Sequence, residues 1–88
     1  MIDFDTKKVV AMYVLGDEET ANRCGASGMF QVVSILLEME DGSEIDVAEN
    51  IDQGLFFSKE SKSESLKKIA ELLKLDISPE NMDYEQIT

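Results

Sequence analysis

The apolar positions of the chain change rhythm several times. From Lys8 to Leu15, β-branched and apolar residues fill both parities, which predicts a strand covered on two faces. Gly16-Asp17 is expected to stop it. Glu18 to Cys24 fits one or two helical turns ending at Gly25, or equally a polar loop. The run Met29 to Glu40 fits two templates. Met29, Val32, Val33, Leu36 and Leu37 form a helical stripe, whereas Met29, Val33, Ile35, Leu37 and Met39 form a strand face interrupted by Gln31. The residues just beyond Glu40 decide between them. Asp41-Gly42 is a hairpin signal, and Ile45 and Val47 alternate with Glu44 and Asp46, so 29–40 is read as a strand.

The register of that hairpin is set by the same pattern. A two-residue Asp-Gly turn sets Leu37 against Asp46 and Glu38 against Ile45, mixing apolar and charged side chains on both faces. A three-residue loop, Glu40-Asp41-Gly42, sets Leu37 against Ile45 and Ile35 against Val47. One face is then apolar, and Gly42 stands where a left-handed bulge residue is needed. The cost is Glu38 opposite Glu44. The three-residue loop is expected.

Asp52-Gln53-Gly54 reads as a further turn, and Leu55-Phe56-Phe57 as a short edge strand. Ser61-Lys-Ser-Glu64 matches a capping box, with Ser63 as an alternative cap. Leu66, Ile69, Ala70 and Leu73 then keep helical spacing, and Leu72 widens the stripe, predicting a helix over 62–75. Ser78-Pro79-Glu80 carries a helix-start signature, so 76–88 is read as a short last helix bringing Met82 inward, or as a frayed tail. The expected fold is α+β: one domain over 1–88, an antiparallel sheet of three or four strands with the 62–75 helix on one face.

Charge alters the picture more than composition does. Nineteen acidic residues against eight basic ones leave a net charge of −11 on 88 residues. Residues 9–58 hold ten acids and one base, Arg23; 59–74 carry five lysines and three glutamates; 75–88 hold four acids and no base. Such a surface repels nucleic acid and anionic membrane and speeds encounter with a basic partner. One cysteine excludes an internal disulfide, no apolar run approaches the ~18 residues that span a bilayer, and the first residues lack a signal peptide's pattern. A cytoplasmic protein is expected, of a bacterial or phage-infected cell.

Chemistry is sparse. The chain has no histidine, so an ordinary serine or cysteine triad is not available. Cys24 has Arg23 beside it but no imidazole to take its proton, and it is read as a loop residue half-tucked against the core. Arg23, Gly25, Ser27 and Gly28 outline a loop whose amides suit an anion, though the spacing is neither a Walker sequence nor a dinucleotide fingerprint. Aligning Gly42 with the sixth position of an EF-hand loop places Leu37, Met39 and Ala48 where oxygen ligands belong, so that reading fails. Asp17-Glu18-Glu19 reads as solvated acid. No metal, cofactor or enzymatic activity is expected.

The remaining feature is the run Glu38, Glu40, Asp41, Glu44, Asp46, Glu49 and Asp52. It is either a solubilising face or a negative face that docks on a basic protein surface such as that of a nuclease or a DNA- or RNA-binding protein, its carboxylates standing where phosphates would. The second alternative makes the chain an inhibitor acting as a nucleic-acid mimic. Anti-CRISPR and other phage anti-defence proteins share this size and acidity; the analogy is one of type, and no motif here names such a family. Two other functions compete: a small-ligand or nucleotide module using Arg23, Gly25, Ser27 and Gly28, and a regulatory or structural subunit docking through Phe56-Phe57 and the lysine-bearing helix.

Overall fold

The computed structural model describes residues 3–51 and 56–87. After a 3-10 turn at Thr6–Lys8, capped by the Asp5 carboxylate, the chain runs through β1 (Val9–Asp17), α1 (Glu18–Arg23), β2 (Met29–Met39) and β3 (Glu44–Asp46). A second 3-10 turn (Ala48–Asn50) comes next, then β4 (Phe56–Ser58), α2 (Lys62–Leu72), a third 3-10 turn (Pro79–Asn81) and β5 (Met82–Gln86). The fold is mixed α+β. β1 lies between β2, antiparallel to it, and β5, parallel to it. The far edge of β2 is shared end to end: β3 pairs with residues 36–38, and β4 with residues 29–31. The radius of gyration, 12.6 Å, is close to the ~12 Å of a globule of this length.

The hairpin forms in the expected register. Leu37 faces Ile45 and Glu38 faces Glu44, while Val47 donates its amide to the Ile35 carbonyl. Met39 bonds across to Ser43, and Gly42 takes φ +86°, the left-handed conformation that closes a three-residue loop at no steric cost. Asp41 fastens the turn by accepting from the amide and hydroxyl of Ser43.

α2 is amphipathic: Leu72, expected to widen the stripe, is exposed, whereas Leu66, Ile69 and Ala70 are buried against one sheet face. There they meet Met12 and Val14 of β1, Phe30, Val32, Ile35 and Leu37 of β2, and Met82 of β5. The helix ends three residues earlier than expected. Lys74 donates to the Glu71 carbonyl and Leu75 to that of Ala70, a paired closure that turns the chain away, with Lys74 itself at φ 60°. The capping box is not made: Ser61 is the N-cap without a side-chain bond, and Ser63 lies inside the first turn. Ser58 supports this end instead, its carbonyl accepting from the Ser65 hydroxyl and its own hydroxyl from the Ser61 amide.

Other expectations are corrected. β1 does not stop at Gly16-Asp17; it continues through both, and Gly16 is buried where the Phe30 and Tyr84 rings pack. The inner face of β2 is Phe30, Val32, Ile35 and Leu37, not the series containing Met29 and Val33. Pairing skips a residue at Val33, where Leu15 faces Ser34 but Gly16 faces Val32, so a bulge turns Val33 out to solvent. A second irregularity does the same at Val10. Neither a last helix nor a frayed tail forms: Ser78-Pro79 starts only a 3-10 turn, and Met82 points inward from a strand. Among the described residues the sheet therefore has five strands, one of them parallel. The turn at Asp52-Gln53-Gly54 and Leu55 lie outside the described residues.

Candidate functional site: an open acidic sheet face

Strand alternation beyond the Val10 irregularity puts Tyr13 and Leu15 of β1, with the odd residues of β5, on the face opposite α2. Met82 and Tyr84 pack inward, so Asp83 and Glu85 project outward. The register then builds the outer face row by row. Tyr13 stands between Leu36 of β2 and Asp83 of β5, and Leu36 adjoins Asp46 of β3. In one neighbouring row Glu38 lies beside Glu44; in the other, Leu15 lies between Ser34 and Glu85. The centre is open, with Tyr13 37% exposed and the bulged Val33 44% exposed, and Leu15 and Leu36 half-buried.

The Tyr13 hydroxyl donates to Glu38 Oε2 at 3.3 Å. The Glu38 charge chiefly, with partial burial and then Glu44 and Asp83, holds the Tyr13 phenol above its ordinary pKa. One hydroxyl thus feels carboxylates from β2, β3 and β5. The lysines of α2 (Lys62, Lys67 and Lys68) are exposed on the other side of the sheet.

Of the acids singled out in the sequence, Glu38, Glu44 and Asp46 belong to this face. Asp46 also accepts from the amides of Ile35 and Ala48, at 3.3 and 3.0 Å, which ties β3 to the next turn. Glu40 and Asp41 sit at the hairpin tip instead. There the Ser43 bonds, with Lys8 adding its charge, hold the Asp41 carboxyl below the ordinary range. Glu49 lies in the Ala48–Asn50 turn, and Asp52 lies outside the described residues. Tyr13, Asp83 and Glu85 are members of the face that the sequence pattern does not single out. The signal for the last two is the alternation Met82-Asp83-Tyr84-Glu85, hidden behind a helix-start signature.

A second polar cluster ties α1 and β5 to the sheet. Glu18 accepts from Lys59 Nζ at 2.8 Å and from the Tyr84 hydroxyl at 2.9 Å, and its amide donates to Gln86 Oε1 at 3.0 Å. Those bonds, Lys59 first, hold the Glu18 carboxyl below its ordinary pKa and push the Lys59 ammonium up. Burial, then Glu18, pushes the Tyr84 phenol up. Its ring stacks on Phe30 at 4.3 Å, with the Lys62 ammonium 5.3 Å from the ring centre. Asp17 caps α1 by accepting from the Thr20 amide and hydroxyl, so Asp17 and Glu18 have structural work within the fold.

The Gly25–Gly28 loop also has a structural role. Gly25 donates to the Asn22 carbonyl and Ala26 to that of Ala21, closing the C-terminus of α1. Those amides are spent, and a helix C-terminus carries the dipole's negative end, the wrong sign for an anion. Gly25 and Gly28 have φ +83° and +79° with open space around their α-carbons, so they serve the backbone turn and not a close approach. Arg23 donates to the Thr20 hydroxyl, and Ser27 is exposed. Cys24 is exposed at the end of α1, not half-tucked against the core.

Phe57 is a core residue and cannot serve as a docking side chain; Phe56 is half-buried beside a groove that Lys67 and Lys68 also line. Among the described residues no three acidic or thiol side chains gather closely enough to hold a metal ion. No helix there is long and apolar enough to cross a membrane. The molecule is thus defined as a small mixed sheet with one helix-covered face and one open, acidic, tyrosine-centred face. Comparison with protein-family models, curated proteins and solved structures finds no match.

Proposed function

We propose that the chain is a protein-binding module whose outer sheet face docks on an Arg- and Lys-rich protein surface. The observation that carries this reading is the convergence of Glu38, Glu44, Asp46, Asp83 and Glu85, from three strands, around the exposed ring of Tyr13. An aromatic and aliphatic centre inside a charged rim is the usual anatomy of a protein interface. The like-charged pair Glu38–Glu44 supports it further, because adjacent carboxylates cost stability in the free chain and are relieved by a cationic partner.

The basic surfaces that best match such a face are those that hold nucleic-acid backbones. Neighbouring strands stand about 4.8 Å apart and alternate residues about 6.6 Å apart, a spacing close to that of successive phosphates. The chain is therefore read as an inhibitor that occupies a nucleic-acid groove as a mimic of its ligand, the mode used by some anti-defence proteins.

The test is capture of the partner by the intact chain, followed by competition and charge removal. Duplex DNA or RNA should displace the chain from the captured protein, and affinity should fall as salt rises. The variant Glu38→Gln/Glu44→Gln/Asp83→Asn should bind at least tenfold more weakly. Binding indifferent to salt, to nucleic acid and to those three substitutions would remove the reading.

A further inference from the structure

Along the β1–β5 seam of the outer face runs a crevice of about 230 Å³ bordered by Tyr13, Leu15, Asp83 and Glu85, with Val14 and Tyr84 between them turned to the core. Its walls are unlike each other. β1 contributes an aromatic ring and a leucine; β5 contributes two carboxylates two residues apart, each level with one of those apolar side chains, Tyr13 with Asp83 and Leu15 with Glu85. Glu38, bonded to the Tyr13 hydroxyl, adds a third carboxylate at the end of the ring.

Resting on the proposal that this face docks a basic protein, we infer that the crevice is a receptor for an arginine side chain of the partner and prefers it to lysine. An arginine presents a flexible apolar stem and a planar, always charged guanidinium. The stem matches Leu15 and the lower edge of the tyrosine, and the plane stacks on the exposed ring. Its five N–H groups then reach carboxylates on both sides of the ring. An ammonium is a compact, strongly hydrated charge; it answers the carboxylates but neither stacks nor forks between them. The occupant is therefore an arginine-bearing protein surface, and Tyr13 is the specificity-determining residue.

The probes are an eight-residue oligo-arginine peptide and its oligo-lysine counterpart, titrated into the full chain at fixed ionic strength with fluorescence anisotropy as readout. The arginine peptide should bind about threefold to tenfold more tightly, with the largest amide shift changes at Tyr13, Leu15, Asp83 and Glu85. Tyr13→Phe keeps the ring and should keep the preference. Tyr13→Leu should bring the ratio to about one, with circular dichroism confirming the fold. Asp83→Asn/Glu85→Gln, at two exposed positions, should weaken both peptides and erode the ratio without touching Tyr13. A wild-type ratio of one, or a ratio unchanged by Tyr13→Leu, overturns the inference. Equal binding of both peptides that is lost in Glu38→Gln/Glu44→Gln leaves the docking face standing and removes only the arginine selectivity. Failure of both peptides to bind removes both readings.

Discussion

At Gly16 an added β-carbon would stand 2.6 Å from the Tyr84 ring and 2.7 Å from the Phe30 ring. Those two rings stack on each other across the glycine, so neither can retreat without breaking a core contact. Gly16→Ala should therefore destabilise the fold by about 1–3 kcal/mol, the usual cost of overpacking, measured by urea unfolding. The opposite sign applies at Lys74, a side-chain-bearing residue held at φ 60° to close α2. Lys74→Gly relieves that conformation and should raise stability by ~0.5–1 kcal/mol, part of the gain being offset by glycine's freer unfolded chain. The sequence showed that a break comes after α2 but not where, because the left-handed position carries lysine instead of glycine.

Among the elements, the hairpin and α2 were legible because each keeps one period over its paired or buried positions, and the hairpin also closes on the recognisable chemistry of Asp41-Gly42. β2 was ambiguous for a physical reason. A bulge shifts the phase of a two-residue period by one, so Phe30 and Val32 share a face with Ile35 and Leu37, and the mixed spacing imitates a helix. The bulge assignment is checked by alanine: Ile35→Ala should cost about 2–4 kcal/mol, whereas Val33→Ala, two residues away, should cost less than about 1 kcal/mol. β5 was not legible, since Ser78-Pro79-Glu80 has helix-start chemistry that yields only one 3-10 turn, and two inward residues are too few to announce a strand. With β5 hidden, Asp83 and Glu85, two of the five carboxylates of the candidate site, were hidden too.

The attachment of β5 through Glu18 has a pH signature. Glu18's folded pKa lies below its unfolded value, so its contribution is complete above the ordinary carboxylate range. It is lost as pH falls through the lower folded value. In denaturant unfolding, Glu18→Gln should lie below the wild type at pH 7, and the gap should narrow as pH falls below the ordinary carboxylate range. A gap independent of pH would show that the charge on Glu18 contributes nothing to holding the strand.

At the scale of the molecule, the two sides of the sheet differ in charge, although α2 carries Glu64 and Glu71 beside its lysines. The lysines of α2 lie over the helix-covered side of the sheet, and the open side carries Glu38, Glu44, Asp46, Asp83 and Glu85. If those acids were arranged for stability alone, Glu38 and Glu44 would not be cross-strand neighbours. Glu44→Gln should raise the melting temperature by a degree or two at low ionic strength, an advantage that shrinks as salt screens the pair. The same substitution should weaken a cationic partner, so stability and binding move in opposite directions.

Met12 pairs with Met82, about 70 positions further along the chain. Closing so long a loop is slow and entropically costly, which makes β5 the natural last strand to zip and the first to peel away. Since β5 supplies one wall of the crevice, a chain with that strand undocked has no complete binding surface to offer. Recognition is thereby coupled to the final act of folding. A bound partner should slow amide exchange along β5 more than anywhere else in the sheet.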